Sequence, residues 1–475
     1  MSAAFLLFLS GCASIPNSIT PGSQRLEPQK LNAGNAIRAA GNQPVPWPSA
    51  QWWKAYGDPQ LDRMVAEALS GNPAMHIAQA RIAKVQALSG IARSALLPSI
   101  DVDAAFSRQR YSEYHYNPSA LAGNWEWNNG ATADLSYNLD VWGKNRAALA
   151  ASLDAVQVGR AEAQEVQLAL ETAVVRAYVR LSLQCVLEDV AKATLQKRQE
   201  ILDITRKRYA AGLATELDLS QAETPLPAAR AELERISESI ELLHNELTAL
   251  TGKGPGDGEG IRRPSLSFDL PVGLPAVLPA ELLGRRPDVV AQRWRVEAAG
   301  KGIEVAKAAF YPNINLTAFA GIQSIGFAQF LSPGSLIAGF TPAVSLPVFN
   351  GGRLRSELGA STADYDIAVD SYNGTLVRAL EEVADQVVTL RSLEKQRGQA
   401  KQSYALAHRA YDIALKSFRK GLSEYLNVLN AQNQTLVESQ RKAQVEARFL
   451  DAYAGLMHSI GGGVPVTPPA PGGAK

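Results

Sequence analysis

The sequence predicts a mainly α-helical chain with a small β portion that meets a membrane, built by internal duplication. Three observations carry this reading. Matched blocks recur in the same order, roughly 210 residues apart. Each half contains a run of roughly seventy residues without proline, rich in the helix formers Ala, Leu, Glu, Gln and Arg. Each half also holds one pair of short segments in which apolar and polar residues alternate with period two. The 475 residues are 46% hydrophobic and 20% charged, too apolar for a disordered chain. The net charge of +1 lacks the basic footprint of a nucleic-acid binder. Outside the N-terminus no window of about 18 apolar residues occurs, so no transmembrane helix is expected.

The chain opens on an apolar stretch, residues 2–9, too short to span a bilayer and followed by small residues, as at the end of a secretory signal. Leu9-Ser10-Gly11-Cys12 resembles the bacterial lipobox, whose cysteine is lipidated and becomes the first mature residue. Ala13 after it, rather than Asp, is the choice that in lipoproteins favours the outer membrane. No Lys or Arg precedes the apolar run, which predicts a start codon upstream of Met1. With Cys12 carrying lipid, Cys185 is left without a disulfide partner and is expected to pack as a small apolar residue. The five histidines show no metal-ligand spacing, and no cofactor is expected beyond the covalent lipid on Cys12.

Asn72-Pro73 through Leu97-Pro98-Ser99-Ile100 matches Arg286-Pro287 through Tyr311-Pro312-Asn313-Ile314. Leu139 to Arg146 then matches Leu346 to Arg353, and Tyr209-Ala-Ala-Gly212-Leu213 matches Phe418-Arg-Lys-Gly421-Leu422. A Gly- and Pro-rich stretch joins the halves. It contains no Gly-Lys-Ser/Thr and so is a linker, not a phosphate loop.

Each half reads as helix, strand, loop, strand, very long helix, tight turn, long helix. The first strand pair is expected at Ile100–Tyr111 and Ala131–Trp142, joined by a loop over 112–130. Its counterparts are Ile314–Ala318 and Val344–Val348, joined over 324–340. An alternating strand of about ten residues has the length needed to cross a bilayer at a tilt, with one face to lipid and one to a lumen. Four strands cannot close a barrel, and open sheet edges cannot sit in lipid, so several copies must share one barrel. The proline-free runs, Gly143–Ala211 and Gly352–Lys420, make helices of about 100 Å. Return helices follow over Glu216–Leu250, broken at Thr224-Pro225-Leu226-Pro227, and Glu424–Ile460. Apolar residues fall on two stripes of the first long helix, Leu170, Val174, Ala177, Leu181 and Leu168, Val175, Val186, Val190. Two stripes suit a helix between two neighbours in a barrel wall. The resulting division is a signal over 1–12, a linker over 13–48, helices over 49–97, a membrane hairpin over 98–142, a helical hairpin over 143–251 and a linker over 252–280. The second half follows with a helix over 281–311, a hairpin over 312–349, a helical hairpin over 350–460 and a disordered tail over 461–475.

Trp52-Trp53-Lys-Ala-Tyr56-Gly-Asp58-Pro59-Gln-Leu61, Glu281-Leu-Leu-Gly-Arg285-Arg286-Pro287-Asp288-Val289 and Pro347-Val-Phe349-Asn-Gly351-Gly352-Arg353-Leu354 are the most specific stretches. With the lipobox and the duplication, they resemble the TolC-like outer-membrane efflux proteins of the lipoprotein type, the NodT-like group. The resemblance covers nearly the whole chain, from Cys12 to about Ile460. It implies a homotrimer whose twelve strands, four per protomer, form one outer-membrane β-barrel continuous with a long-helix periplasmic α-barrel. It also implies partners: a periplasmic adaptor of the membrane fusion class and an inner-membrane pump of the RND type. The implied work is passive export through a duct. Type I protein secretion is an alternative within that class, and a helical lipoprotein spacer without a pore is one outside it. An enzyme finds no motif here: no nucleophile elbow, no His-Glu-x-x-His, no phosphate loop.

Gly212 and Gly421 sit where C-cap glycines end the long helices, Thr215 or Glu216 opens one return helix, and Ser423 is the expected N-cap of the other. In the family these turns form the periplasmic tip. By motif position Gly212, Leu213, Gly421 and Leu422 would meet the adaptor. Asp218, Leu426 and Asn430 would lie at the constriction, with Phe418, Ser423 and Asn427 around it. Asn427 and Asn430 stand where the family often has carboxylates, so the gate is expected to close by Leu426 packing and amide hydrogen bonds more than by charge.

Overall fold

The computed structural model describes residues 18–27, 31, 46–114, 118–271, 273 and 284–463. Cys12 with its lipobox, most of the 13–48 linker, the start of the 281–311 helix and the chain beyond 463 lie outside the described residues. The chain divides into two compact units. One takes Met1–Arg25, Arg81–Arg160 and Ala291–Tyr372; the other takes Leu26–Ala80, Ala161–Val290 and Asn373–Lys475.

The helices are α1 (Pro59–Gly71), α2 (Pro73–Ser94), α3 (Lys144–Ala210), α4 (Glu216–Glu223), α5 (Pro225–Leu250), α6 (Pro287–Ala308), α7 (Arg353–Arg419) and α8 (Tyr425–Ser459). The duplication survives in their lengths: α2 and α6 have 22 residues each, α3 and α7 have 67 each. The α4–α5 pair spans 216–250 and α8 spans 425–459, the same length of chain. Only the first half is interrupted, because Pro225 lacks the N–H that would continue α4. Gln434 and Leu436 take the equivalent places of Pro225 and Pro227, and α8 runs unbroken.

In the first unit, β1 (Ser99–Arg110), β2 (Trp125–Leu139), β3 (Asn313–Ile325) and β4 (Leu336–Ser345) form one antiparallel sheet in the order β1-β2-β3-β4. Both strands expected to follow a loop begin earlier than expected. β2 begins at Trp125, six residues before Ala131, and residues 140–142 form a turn instead of strand. β4 occupies Leu336–Ser345 rather than Val344–Val348. Val344 and Ser345 close β4, and the chain leaves the sheet before Pro347, which has no N–H for a ladder. Of the two stripes on α3, Val186 is 41% exposed and the other seven residues are buried or half-buried.

The core of the second unit is built around the Trp52-Trp53 stretch. Trp52, Trp53 and Tyr56 form a 3-10 turn ending at Gly57, whose φ of 72° only glycine adopts easily. They pack with Leu61 and Val65 of α1, Val174, Tyr178 and Leu181 of α3, Leu390 of α7, and Phe449 and Tyr453 of α8. Polar groups in this hub are paired. Tyr56 donates to the Leu450 carbonyl at 2.7 Å, and Tyr178 donates to Asp58 at 2.7 Å. Cys185 is buried in the same cluster.

Glu171, 3% exposed, accepts hydrogen bonds from Trp52 Nε1 at 3.2 Å and Gln167 Nε2 at 2.8 Å. Burial pushes its carboxyl up to about 7, against the pull of those two donors. A carboxyl that holds its proton more tightly when folded contributes most while it is neutral, so stability declines as pH rises from the ordinary carboxylate range towards 7. Thermal unfolding of the parent should therefore show a midpoint falling between about pH 5 and pH 8, a slope that Glu171→Gln flattens while raising the midpoint at the upper end. The same slope in both proteins would remove Glu171 from this account.

Candidate functional site

The sheet register sorts its residues onto two unlike faces. On one, Ile100 of β1 lies opposite Leu135 of β2, which lies opposite Ala318 of β3, itself opposite Phe340 of β4. The neighbouring rows on that face are Val102, Ala133, Ala320, Ala338 and Ala104, Ala131, Ile322, Leu336. The opposite face carries Asp101, Asp134, Phe319, Gly339 and Asp103, Thr132, Gly321, with Ser136 opposite Thr317 and Asn138 opposite Asn315. Polar groups on it bond one another: Thr132 to Asp134 at 2.8 Å, and Asn138 to Asn313 at 2.8 Å.

Aromatic rings mark both ends of the sheet. Phe106 stacks on Phe327 with ring centres 5.9 Å apart, and Trp127 meets Phe327 edge-on at 5.3 Å. At the end from which α3 departs, Trp142 stacks on Tyr311 at 4.7 Å and donates from Nε1 to the Pro312 carbonyl at 2.8 Å. Strands of 12, 15, 13 and 10 residues, one face apolar, the other polar, with aromatic rings at both rims, match a transmembrane barrel wall. Among the described residues the outer edges of β1 and β4 have no strand partner. In lipid such edges must be paired by another copy.

The Phe319 ring covers Gly339 on the next strand. A Cβ there would lie 2.5 Å from a ring carbon, so the glycine makes room for the aromatic.

The two helical turns belong to the second unit. Gly212 has φ 69° and Gly421 φ 73°, the left-handed conformation that ends a helix. In each turn the following residue bonds back across it, Leu213 N to the Arg208 carbonyl at 2.8 Å and Leu422 N to the Ser417 carbonyl at 2.9 Å. The return helices then start differently. Thr215 caps α4 through a reciprocal box: its backbone N–H donates to Asp218 Oδ2 at 2.8 Å, and Asp218 N donates to Thr215 Oγ1 at 3.2 Å. The Thr215 backbone N–H, then its hydroxyl, and the nearby Arg208 charge hold the Asp218 carboxyl below the usual range.

The second turn has no such box. The expected N-cap, Ser423, lies one residue too early. α8 starts from Glu424, whose side chain makes no cap bond, and Ser423 Oγ instead accepts from Asn427 Nδ2 at 3.1 Å.

Of the residues proposed for a constriction, Leu426 is 49% exposed, and Asn427 and Asn430 are also exposed. Leu426 and Asn430 lie one turn apart on the same side of α8. Phe418 differs. It is 3% exposed and packs with Ile201, Tyr411, Tyr425 and Val428 beneath the turn, with the Arg208 guanidinium 5.1 Å from its ring centre. Gly212, Leu213, Gly421 and Leu422 are all exposed. Leu213, Leu217, Asp218, Leu422 and Leu426 line a cavity of about 580 Å³ between the two turns.

Leu217 was not singled out in the sequence, although the repeat that pairs Gly212 with Gly421 also pairs Leu217 with Leu426. At 65% exposure it is more open than its counterpart. Gln221 pairs with Asn430 by the same rule.

The sequence matches the outer membrane efflux protein family over residues 64–253 and 278–462. It is 46% identical over 365 residues to the fusaric acid resistance protein FusA of Burkholderia cepacia, covering 76% of this chain and 68% of that one. The multidrug resistance outer membrane protein MdtP of Escherichia coli K12 is 29% identical, with 97% of this chain and 95% of that one covered. The crystal structure of the outer membrane protein VceC of Vibrio cholerae superposes with a TM-score of 0.82 at 34% identity, over 87% of this chain and 99% of that one.

Proposed function

The chain belongs to the outer membrane efflux protein family, and from that premise we propose that it acts as a trimer, the exit duct of a three-part export assembly. It is an outer-membrane channel of the TolC-like fold and serves efflux. Three copies pair β1 of one with β4 of the next, closing twelve strands. Cys12 carries a lipid that holds the N-terminus at the outer membrane. The turns at Gly212 and Gly421 meet a periplasmic adaptor, and an inner-membrane pump of the RND type supplies cargo and energy.

The observation that carries the assembly is the sheet: an apolar face, a polar face and two open edges within one chain. A spacer without a pore has no use for such a sheet. The resistance functions named for FusA and MdtP favour small toxic molecules over secreted polypeptides as cargo.

Extraction tests this reading. The protein should stay in the membrane through an alkaline wash, run as a trimer in detergent until heated, and remain membrane-bound as Cys12→Ser. A helical monomer released by the wash would overturn it.

A further inference from the structure

Within the second unit, α3, α7 and α8 enclose a cavity of about 190 Å³. It is lined by Lys197, Tyr404, His408, Tyr411, Gln432 and Thr435 among others. Gln432 is 4% exposed, buried by its own chain, yet neither its Nε2 nor its Oε1 has a hydrogen-bond partner. An orphaned buried amide is costly and rare enough to need a reason.

Several of the other polar groups of the cavity are engaged. Thr435 donates to the Ala407 and Ala431 carbonyls, His408 pairs with Asp412 at 3.2 Å, and Asp189 is bound by Arg263. Among the described residues Lys197 makes no ion pair, and its ammonium lies 4.8 Å from the centre of the Tyr411 ring. Tyr404 and Tyr411 supply flat apolar walls. The cavity therefore offers one cation, one amide that both donates and accepts, two phenol rings with their hydroxyls, and the Ser439 hydroxyl. A cavity of about 150 Å³ takes benzene, so this one has room for a single ring with small polar groups.

We propose that this cavity binds a one-ring aromatic carboxylate bearing a second polar group. The ligand's carboxylate faces Lys197, its hydroxyl or ring N–H at the far side of the ring pairs with the Gln432 amide, and its ring lies against Tyr404 and Tyr411. This names a cargo class for the exit duct and rests on that reading.

The probe is 4-hydroxybenzoate, titrated into the full-length detergent-solubilised protein by calorimetry, with benzoate and tyramine as comparisons. Saturable binding of one 4-hydroxybenzoate per chain is expected, with benzoate weaker and tyramine weaker still. Lys197→Met should weaken 4-hydroxybenzoate about tenfold and remove the preference for acid over amine. Gln432→Leu should erase the difference between 4-hydroxybenzoate and benzoate. If that core variant does not fold, Lys197→Met at its half-buried position still decides the matter.

No saturable binding, tyramine binding as well as the acids, or Lys197→Met binding like the parent would each overturn the site. Conductance of the same preparation in planar bilayers separates the two failures. A parent that conducts but does not bind overturns the cavity alone, and one that neither conducts nor binds overturns the duct as well.

Discussion

Leu217→Ala combined with Leu426→Ala is expected to give a channel that opens more readily and passes more current than the parent. The two leucines hold equivalent places in the repeat, one residue into each return helix beyond its first, and both are exposed in the single chain at 65% and 49%. In the proposed trimer six such side chains would be available to close the duct by contact. A leucine that becomes fully buried contributes about 1.5–3 kcal/mol, so losing part of this from each chain shifts the closed–open balance by about tenfold per chain. Single-channel recording in planar bilayers reads the effect, with Leu426→Ala/Asn430→Ala as a companion that also removes an amide on the same side of α8. If neither variant conducts better than the parent, the leucines do not close the duct.

The largest loss of stability is expected at Arg286. This side chain is 7% exposed and ties three helices together. It forks onto Asp288 in the first turn of α6, at 3.0 and 2.6 Å, reaches Glu382 of α7 at 2.7 Å, and donates to the Ser459 carbonyl at the end of α8 at 3.1 Å. Removing one partner of a fully buried ion pair costs about 3–5 kcal/mol. Here Asp288 and Glu382 are 24% and 41% exposed and water takes over part of the lost contact, so about 2–3 kcal/mol is expected. Arg286→Ala should lower the denaturation midpoint by an amount in that range. Arg286→Lys should recover only part of it, since an ammonium cannot fork onto Asp288 while reaching two other groups. An Arg286→Ala protein as stable as the parent in guanidinium titration would show that the cluster stabilises nothing.

The Arg286-Pro287-Asp288 stretch was visible in the sequence as a specific motif, but its purpose was not. Its partners lie 96 and 173 residues away in the chain. The long helices were legible because proline-free runs of helix formers leave little else to form, and the turns because a glycine must take positive φ where two helices reverse. The strands were harder. In β4, Leu336-Ile-Ala-Gly-Phe340 alternates poorly: Ile337 joins Phe319 on the mainly polar face, and Gly339 is there to receive the Phe319 ring from the next strand. That reason appears only once the strands are side by side. The early start of β2 is hidden because Trp125-Glu-Trp127-Asn-Asn129 resembles a loop in composition, although Trp127 belongs to the aromatic rim. At the turns, Phe418 shared a motif with exposed residues yet packs inward, a distinction that spacing alone does not carry.

The unequal starts of the two return helices have a mechanical consequence. Backbone repetition gives each chain two near-identical corners, so a ring of three chains would have six. One corner is latched by the reciprocal Thr215–Asp218 box, and the other, at Glu424, has only the single side-chain bond from Asn427 to Ser423. Around the ring, stiff and compliant corners would alternate. Dilation of such a ring would start at the three yielding corners.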